Sequence, residues 1–502
     1  MTQETRKYQA FYTRSIPIVD YMIEKLSLKR EDRIFEPCGG DGVFAEAILN
    51  WNKNANIDIC ELNDNAFNIL QNKFYNYTTA NIRQCDTLLD KDLIFYSNFG
   101  GIYDKIIANP PYGAWQDYDK RNKLKKLFPN IYTKETYTLF LYRCIDVLKV
   151  GGILSFIIPD TFLNLHMHKA IRKHILTRTK ILELTLFPSS FFPGVNFGYA
   201  NLSIITLQKC NNKKECLENS FKVINGFTHV EQLANVADNK LNVLTFMQNE
   251  ILKNPDCAFF VTDNSEITEA INNTRLQIGD IARCVTGFYS GDDKKFMQVI
   301  SSGLKNGKNY NLVDVKTINR EYKDYSGILE GFKGDKCFLP VIKGGNTKYL
   351  KPESWFMNWS KEAVKHYKTD KKARFQNSQF YFKFGIGVPM ISSSSITASL
   401  IDNKLFDQSI VGIFPKDETL TYYLLAFFNS PTCNQLIRTI NPSANNSANY
   451  IKKIPFIMPD KTKLEHITSN VAKIIALINE NGSFDENIEV QVNNMIKSLY
   501  GF

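Results

Sequence analysis

The sequence contains no Cys-x-x-Cys pair, although it has ten cysteines. Structural zinc sites need that spacing, and disulfide frameworks belong to small secreted domains, so both kinds of scaffold are excluded. No stretch approaches the run of about 18 apolar residues that crosses a bilayer, and the N-terminal residues lack the apolar core of a signal peptide. We therefore expect reduced, mostly buried thiols in a soluble, cytoplasmic protein that has no membrane partner.

The composition also lacks the features of a disordered or fibrous chain. Hydrophobic residues make up 44% and charged residues 22% of the 502 positions, as in ordinary globular proteins. At roughly 100–200 residues per domain, this length predicts two to four domains with a sizeable core. The net charge of +10 favours a polyanionic partner but is too diffuse to identify one.

Short apolar runs alternate with helical patterns between Arg33 and Leu207. The runs RIFEP, IDICEL, YDKIIANPP and GGILSFIIP are each followed by an amphipathic stretch, which is the order of a parallel, doubly wound α/β sheet. The later runs KILELTL and NLSIITLQ follow each other without a clear helix between them. This ending predicts a terminal hairpin.

The alternation of apolar runs and helical patterns is interrupted by two polar stretches, one near Lys209 and one between Thr262 and Asn273. We therefore predict a first domain over 1–215, an extension or linker over 216–275, and a second domain over 276–502. The second domain combines irregular short strands with one strong helix near 420–436, a texture typical of α+β domains. One or two amphipathic helices are expected from 461 to 500.

The sharpest motif is Asn109-Pro110-Pro111-Tyr112, directly after the apolar run YDKIIA. Ligands of open parallel sheets bind at the carboxyl ends of the strands, and two prolines there would stiffen a loop that presents Asn109 and Tyr112. The alternative is a proline turn that ends the strand, with Tyr112 as a cover residue.

Three further elements follow earlier predicted strands. The glycine-rich turn from Glu36 to Gly42 would let the backbone approach a ligand closely. Glu61 ends the run IDICE, where a carboxylate can accept the hydroxyl protons of a ribose, and Asp86 ends the run IRQCD. Taken singly, each acid is more often a helix cap or a solvated surface group.

In this order the elements resemble the DNA adenine methyltransferases of restriction-modification type that modify the 6-amino group, specifically their gamma class. The resemblance covers about Phe11 to Lys209 strongly and Leu276 to Pro459 more loosely. It implies a seven-stranded, mostly parallel methyltransferase sheet with a terminal hairpin in a catalytic domain over 1–215. It also implies that the α+β domain over 276–502 recognises the DNA target.

The resemblance implies S-adenosylmethionine as the cofactor. The cofactor contacts of the family correspond here to Glu36, Pro37, Gly42, Glu61, Asp86 and Asn109. An N-terminal Thr-Pro pair contacts the methionine end of the cofactor in that family. This chain offers Thr13, Arg14, Ser15 and then Pro17, and Thr13 is the expected contact.

The motif suits methylation of adenine for a chemical reason. The lone pair of the 6-amino nitrogen is delocalised into the ring, so two acceptors for its hydrogens would favour a more pyramidal, more nucleophilic nitrogen. The side-chain oxygen of Asn109 and the carbonyl of Pro110 are the expected acceptors. Tyr112 would stack on the flipped base. Phe192 is the expected second wall, with Phe197 and Tyr199 as alternatives.

Basic residues after this loop are candidates for contacts with duplex DNA. Lys120, Arg121 and Lys123 could lie along a phosphate backbone, although a solvated helix face explains them equally well. The segment from Asn441 to Asn446, which contains Pro442, looks like a loop that enters DNA where the base has left. An ordinary turn explains that segment equally well.

Three other interpretations stay open. The first is an RNA adenine methyltransferase, and the second is a catalytically inactive protein that only specifies a DNA site. The third is a fused restriction-modification enzyme with a nuclease site at Asp314, Glu321 and Lys323, which we disfavour because few residues precede the glycine turn. No metal is expected. We expect a monomer that partners double-stranded DNA and shares its site with a cognate restriction endonuclease.

Overall fold

A computed structural model describes residues 13, 15–113, 116–192, 201–392, 395–441 and 444–502. The chain divides into two compact units, Met1–Asp263 and Asn264–Phe502, here called the first and the second unit. No helix in the described ranges is both long and apolar enough to span a bilayer.

Nine strands of the described residues of the first unit form one mixed sheet. They are β1 (Arg33–Glu36), β2 (Asn56–Glu61), β3 (Ala80–Gln84), β4 (Tyr103–Ala108), β5 (Leu148–Pro159), β6 (Thr179–Phe187), β7 (Leu202–Lys209), β8 (Ser220–Asn225) and β9 (Asn242–Met247). Their order across the sheet is β3-β2-β1-β4-β5-β7-β6-β8-β9. The pairs from β3 to β5 are parallel, whereas β7 pairs antiparallel with both β5 and β6. The predicted parallel sheet and its hairpin of β6 and β7 are both present.

Helices follow most of these strands. They are α1 (Ile16–Leu26), α2 (Val43–Trp51), α3 (Asp64–Lys73), α4 (Lys91–Asn98), α5 (Tyr118–Leu127), α6 (Thr136–Val147), α7 (Lys169–Arg178), α8 (Lys213–Leu217) and α9 (Gln248–Lys253). Side-chain oxygens of Asn63, Asp90 and Asp117 cap α3, α4 and α5 by accepting backbone N–H groups of the first turn. Such caps satisfy donors that have no partner within the helix, so they fix where these helices begin.

The sheet is larger than the seven strands that we predicted. β8 pairs in parallel with β6, and β9 pairs antiparallel with β8. Both strands lie within 216–275, which we predicted as an extension or linker, and the first unit continues to Asp263. The apolar stretch of β8 is short and stands between polar runs, so its strand character becomes evident only where the open edge of β6 offers a partner.

The core of the first unit lies on both faces of the central strands. Residues from Leu154 to Ile158 of β5 are all buried, as expected of a strand covered on both sides. Phe35 of β1 stacks on Tyr103 of β4 with ring centroids 4.5 Å apart. One cysteine pair differs from our expectation, because Cys60 and Cys85 are joined as a disulfide, while the other eight cysteines are free.

The second unit is built on two larger sheets. Its strands are β10 (Leu276–Gln277), β11 (Ala282–Thr286), β12 (Met297–Val299), β13 (Asn311–Leu312), β14 (Phe338–Ile342), β15 (Trp355–Asn358), β16 (Phe384–Pro389), β17 (Ser399–Asp402), β18 (Leu405–Phe406), β19 (Ile410–Pro415) and β20 (Pro455–Phe456). One sheet has the order β11-β19-β16-β17, the other has the order β13-β12-β15-β14-β18, and β10 pairs with β20. An aromatic cluster around Phe288, Trp359 and Tyr367 fills the core beside them.

The helices of the second unit agree with an α+β texture. They are α10 (Ser265–Asn273), α11 (Ile278–Ile281), α12 (Asp293–Phe296), α13 (Lys361–Thr369), α14 (Thr421–Asn429), α15 (Pro431–Ile440), α16 (Ala448–Ile451), α17 (Lys461–Asn481) and α18 (Glu486–Tyr500). The single strong helix predicted near 420–436 is instead two helices. Ser430 caps α15 by accepting the Cys433 N–H, and Pro431 begins that helix because its missing N–H costs nothing at the first position.

Candidate active site

The predicted strand-end residues line one cavity of the first unit. Glu36 ends β1 and Glu61 ends β2, while Asp86 follows β3 and Asn109 follows β4. All four side chains belong to the lining of the same open cavity. They meet because the carboxyl ends of neighbouring parallel strands lie at one edge of the sheet.

The turn after β1 is held against the end of β2. The Gly39 N–H donates to the Cys60 carbonyl at 2.9 Å, and the Gly40 N–H donates to Oε2 of Glu61 at 2.8 Å. A Cβ atom at Gly39 would lie 2.5 Å from Cγ2 of Ile59, so a side chain there would push the turn away from the sheet. Glycine at this position therefore permits the close approach that the sequence predicted for the turn.

Glu36 and Pro37 anchor the same turn on its other side. The carboxylate of Glu36 accepts the Ala45 N–H at 3.1 Å, and burial raises the pKa of Glu36 well above its ordinary value. The Pro37 carbonyl accepts a hydrogen bond from Oγ1 of Thr87 at 2.5 Å. This second contact ties the first loop to the segment that carries Asp86.

Gly42, which the sequence predicts as a cofactor contact, lies at the end of this turn. It is not among the described residues that line the cavity. Its φ is +77°, and an added Cβ atom would lie 2.7 Å from both Leu70 and Phe74. Gly42 is therefore a conformational residue that lets the turn lead into α2.

The carboxylate of Glu61 is fixed by two backbone groups. Oε2 accepts the Gly40 N–H at 2.8 Å, and Oε1 accepts the Asn63 N–H at 2.7 Å. A carboxylate has about four acceptor positions, so each oxygen keeps the capacity for another hydrogen bond. Held in this way at the cavity, the group suits a ligand with two adjacent hydroxyls.

Asp86 is paired with a lysine that we had expected at the DNA surface. Its Oδ1 accepts the Leu88 N–H at 3.1 Å, and its Oδ2 lies 2.5 Å from Nζ of Lys120. Lys120 belongs to α5 and lines the cavity. Nothing in the local sequence indicated this contact, because the two residues are 34 positions apart.

The other predicted DNA contacts on α5 are in different surroundings. The guanidinium of Arg121 donates to the Gln116 carbonyl at 3.5 Å and is partly buried. Lys123 is exposed, as a phosphate contact requires. Pro442 lies outside the described residues.

The motif loop after β4 is anchored at three points. Nδ2 of Asn109 donates to Oγ1 of the buried Thr13 at 3.1 Å, and the thiol of Cys38 donates to the Asn109 carbonyl at 3.4 Å. The hydroxyl of Thr136 donates to the Pro111 carbonyl. Thr13, Asn109, Pro111 and Thr136 all line the cavity. Cys38 and Thr136 had no role in the sequence interpretation.

Tyr112 and Pro110 face the protein interior. Tyr112 is only 6% exposed, its hydroxyl donates to the Ile157 carbonyl at 3.4 Å, and burial raises its pKa. Its ring meets Tyr137 edge-on, with centroids 6.2 Å apart and an interplanar angle of 84°. Pro110 is buried as well. Both residues therefore pack into the interior in this structure, and the stacking of Tyr112 on a base stays a prediction.

A partly buried polar network supports the start of α6. Nε2 of His168 lies 2.9 Å from Oε2 of Glu135 and 3.2 Å from the hydroxyl of Tyr137. Tyr137 also bonds to Oγ1 of Thr161 at 3.1 Å. These four residues come from three parts of the sequence that no motif connects, so sequence patterns did not reveal them.

Phe192 is 2% exposed and belongs to the hydrophobic core of the first unit. It is not part of the cavity lining among the described residues. The alternatives Phe197 and Tyr199 lie outside the described residues. The role of Phe192 as the second stacking wall stays a prediction.

Taken together, the cavity has acidic acceptors at one end and the motif loop beside them. Glu61 and Asp86 offer carboxylate oxygens, the 39–40 turn offers close backbone approach, and Phe140 adds an apolar wall. These groups fit a nucleoside with a ribose diol and an amino-bearing ring, which agrees with the adenosyl part of S-adenosylmethionine.

Comparison with known proteins relates the chain to methyltransferases of restriction-modification systems. Residues 6–192 match the Eco57I restriction-modification methylase family. The chain is 25% identical over 320 residues to the Type II methyltransferase M.AccI of Acinetobacter calcoaceticus, which covers 62% of this chain and 56% of the relative. It is 28% identical over 193 residues to the Type II methyltransferase M.HincII of Haemophilus influenzae, covering 36% of this chain and 34% of the relative. The chain thus spans about half of the first relative and a third of the second.

Among solved structures, the DrdV-DNA complex determined by cryo-electron microscopy has the same fold. Its TM-score is 0.58 at 12% identity, and the match covers 94% of this chain and 57% of that one. At this identity the likeness concerns the fold alone. The resemblance to the methyltransferases of restriction-modification systems, first seen in the sequence, is confirmed by the family match and by the two Type II relatives.

Proposed function

We propose that the protein transfers the methyl group of S-adenosylmethionine to the 6-amino group of an adenine in duplex DNA. One observation carries the proposal: the Asn109–Tyr112 loop at the end of β4 lies beside the cavity that Glu61 and Asp86 line. A donor site and an amino-group acceptor loop at the same sheet edge are what direct transfer between two bound substrates requires.

Different residues of the cavity would bind different parts of the proposed cofactor. Glu61 would accept the ribose hydroxyls, Asp86 would accept the amino group of the adenine ring, and Thr13 would face the methionine end. Glu61, Asp86 and Thr13 all line the cavity and carry oxygen acceptors for these groups. S-adenosylmethionine supplies an activated methyl group together with its own leaving group, so the protein mainly orients the transfer.

The motif loop would act on the target base. The side-chain oxygen of Asn109 and the Pro110 carbonyl would accept the two hydrogens of the 6-amino group and stabilise the positive charge that develops on its nitrogen. Anchoring by Thr13, Cys38 and Thr136 supports this role, because a preorganised acceptor loses little entropy when the substrate arrives.

The target base would have to leave the duplex. A 6-amino group inside paired DNA is out of reach of a strand-end loop, so the nucleotide must rotate into the site. Tyr112 and Phe192 remain our proposed stacking residues. Since both rings are buried in this structure, stacking requires that the base or the ring moves toward the other.

The biological setting is proposed from the relatives. M.AccI and M.HincII are Type II methyltransferases, and we extend this setting to a site-specific, monomeric and cytoplasmic enzyme that protects DNA from a cognate restriction endonuclease. The second unit would then recognise the target sequence. Nuclease activity of this chain is disfavoured, because Asp314 caps the Lys316 N–H and Lys323 pairs with Asp402 at 3.1 Å.

The test is a transfer assay with isotope-labelled S-adenosylmethionine and unmethylated duplex DNA, followed by mass spectrometry of the nucleosides. We expect the label in N6-methyldeoxyadenosine. Asn109→Ala should lower the turnover by about 100-fold or more, while affinity for the cofactor stays within about twofold.

Asn54→Ala serves as the control, because Asn54 is an exposed asparagine of the first unit that is not among the described residues lining the cavity. It should retain far more turnover than Asn109→Ala. Label in cytosine, label in an RNA substrate only, or undiminished turnover of Asn109→Ala would each contradict the proposal.

A further inference from the structure

The ion pair between Asp86 and Lys120 lies at the part of the cavity where the adenine ring of the cofactor would bind. Oδ2 of Asp86 is 2.5 Å from Nζ of Lys120, and both residues line the cavity. The two side chains are 20% and 25% exposed, so the pair is partly withdrawn from water. A charge-assisted contact in such a place is stronger and better ordered than one on an open surface.

The position of Lys120 is not explained by helix formation. It is the third residue of α5, whose first turn prefers acidic side chains because the helix dipole is positive there. Its backbone N–H is already bound by the cap residue Asp117 at 2.7 Å. The side chain instead extends into the cavity, where the Asp86 carboxylate is its ionic partner.

The pair offers a hydrogen-bond acceptor and a donor side by side. Adenine presents the complementary pattern, since its 6-amino donor stands next to the N1 acceptor on the same edge. The Leu88 N–H is already engaged by Oδ1 of Asp86 at 3.1 Å, so it does not compete with Lys120 as a donor. An ammonium with three N–H groups can hold Asp86 and still donate to a ring nitrogen.

We propose that Lys120 is a cofactor-binding residue that donates to N1 of the adenine ring while Asp86 accepts from the 6-amino group. This inference rests on the proposed use of S-adenosylmethionine. It assigns to Lys120 a task different from the DNA contact that its basic surroundings suggested, and it makes the first turn of α5 part of the cofactor site.

The test compares S-adenosylhomocysteine with its 1-deaza analogue, in which N1 is replaced by C–H, in calorimetric titrations of the full chain. The wild type should bind the 1-deaza analogue roughly 10- to 100-fold more weakly, the range of a hydrogen bond that involves a charged group. Lys120→Met should bind S-adenosylhomocysteine about as weakly as the wild type binds the 1-deaza analogue. It should no longer distinguish the two ligands. Lys120→Arg should restore part of the discrimination.

Lys125→Met is the matched control, since Lys125 is an exposed lysine of the same helix. It should discriminate as the wild type does, and unfolding by heat should confirm that all variants are folded. If Lys120→Met keeps the full discrimination or binds S-adenosylhomocysteine more tightly, Lys120 does not read the ring and the inference is overturned. If the wild type binds neither ligand, the proposed cofactor itself fails, which is a different result.

Discussion

Thr136, the first residue of α6, donates a hydrogen bond from its hydroxyl to the carbonyl oxygen of Pro111. The contact joins the helix to the middle of the motif loop. Next to it, Tyr137 packs edge-on against Tyr112, and His168 bonds to both Tyr137 and Glu135. The start of α6 therefore acts as a rigid support on which the loop is positioned.

Thr136→Val should lower the turnover by about 10- to 100-fold, because a loop displaced by a fraction of an ångström misaligns the reacting atoms. Its effect on unfolding should be only about 1 kcal/mol, the usual worth of one hydrogen bond. Thr138→Val is the matched control, since the Thr138 hydroxyl bonds to the Glu135 carbonyl at 3.0 Å and not to the loop. Steady-state kinetics and urea unfolding of both variants would check this, and equal turnover in the two would contradict the support role.

Glu61→Ala should weaken cofactor binding by about 1.5–3 kcal/mol, the range for hydrogen bonds to a charged group. Glu61→Gln should lose less, because its amide oxygen can still accept one of the two N–H groups of Gly40 and Asn63. Glu46→Ala, which removes an exposed partner of Lys73, is the control. Calorimetry with S-adenosylhomocysteine measures all three. An affinity of Glu61→Ala equal to that of the control would move the ribose site elsewhere.

The strand-end part of this site could be predicted from the sequence for a simple reason. Each acid or amide follows an apolar run, and parallel strands bring their carboxyl ends together whatever the helices between them do. Glu36, Glu61, Asp86 and Asn109 were found in this way. The parallel strands β1 to β5 and the hairpin of β6 and β7 were expected from the same succession of apolar runs and helical stretches, whereas their order across the sheet was not predicted.

The remaining features depend on contacts between distant residues. The sequence presented Lys120 as one of several basic side chains of a helix. Only the position of α5 in the fold brings it to Asp86. The sequence motif predicted a ligand contact at Gly42. Its positive φ and the close neighbours Leu70 and Phe74 also explain why a glycine is needed at this position. β8 forms by pairing with the edge of β6, and no local sequence pattern reveals that pairing.

Tyr112 provides a test of base stacking that separates the ring from the hydroxyl. Tyr112→Phe should keep most of the activity, because stacking needs the flat ring and the hydroxyl makes only a 3.4 Å contact with the Ile157 carbonyl. Tyr112→Ala should reduce the fluorescence gain of an adenine analogue placed at the target, since stacking contributes roughly 1–3 kcal/mol per base. Equal fluorescence in wild type and Tyr112→Ala, at matched DNA occupancy, would assign Tyr112 to the core alone.

Gly42→Ala should destabilise the first unit by about 1–3 kcal/mol more than a glycine replacement without neighbours. Alanine at this site would combine a φ of +77° with Cβ contacts of 2.7 Å to Leu70 and Phe74. Gly151→Ala is the matched control, because Gly151 has a φ of +83° and nothing within 4 Å of its added Cβ. Urea unfolding of both variants isolates the steric part. If both variants lose the same unfolding free energy, Leu70 and Phe74 move aside without an energetic penalty.

The stability of the first unit should depend on pH through His174 of α7. Burial, together with the nearby cations of Arg178 and Lys209, lowers the pKa of His174 to about 4, and its ring stacks on Tyr142 at 4.2 Å. Because the pKa of an unfolded histidine is about 6.5, the unfolded chain takes up a proton between pH 6.5 and 4 while the folded chain does not. The contribution of neutral His174 to the unfolding free energy is therefore complete above pH 6.5 and is lost as the pH falls towards 4.

His174→Phe keeps an aromatic ring against Tyr142 and removes the titration. Between pH 7.5 and 5, the wild type should lose about 2 kcal/mol more unfolding free energy than this variant. Burial also raises the pKa of Asp146, whose Oδ1 is 3.6 Å from Nε2 of His174, to about 6. That carboxyl is present in both proteins and has the opposite dependence, so it reduces the acid sensitivity of each. Parallel pH profiles of wild type and His174→Phe in urea unfolding would rule out His174 as the source of acid sensitivity.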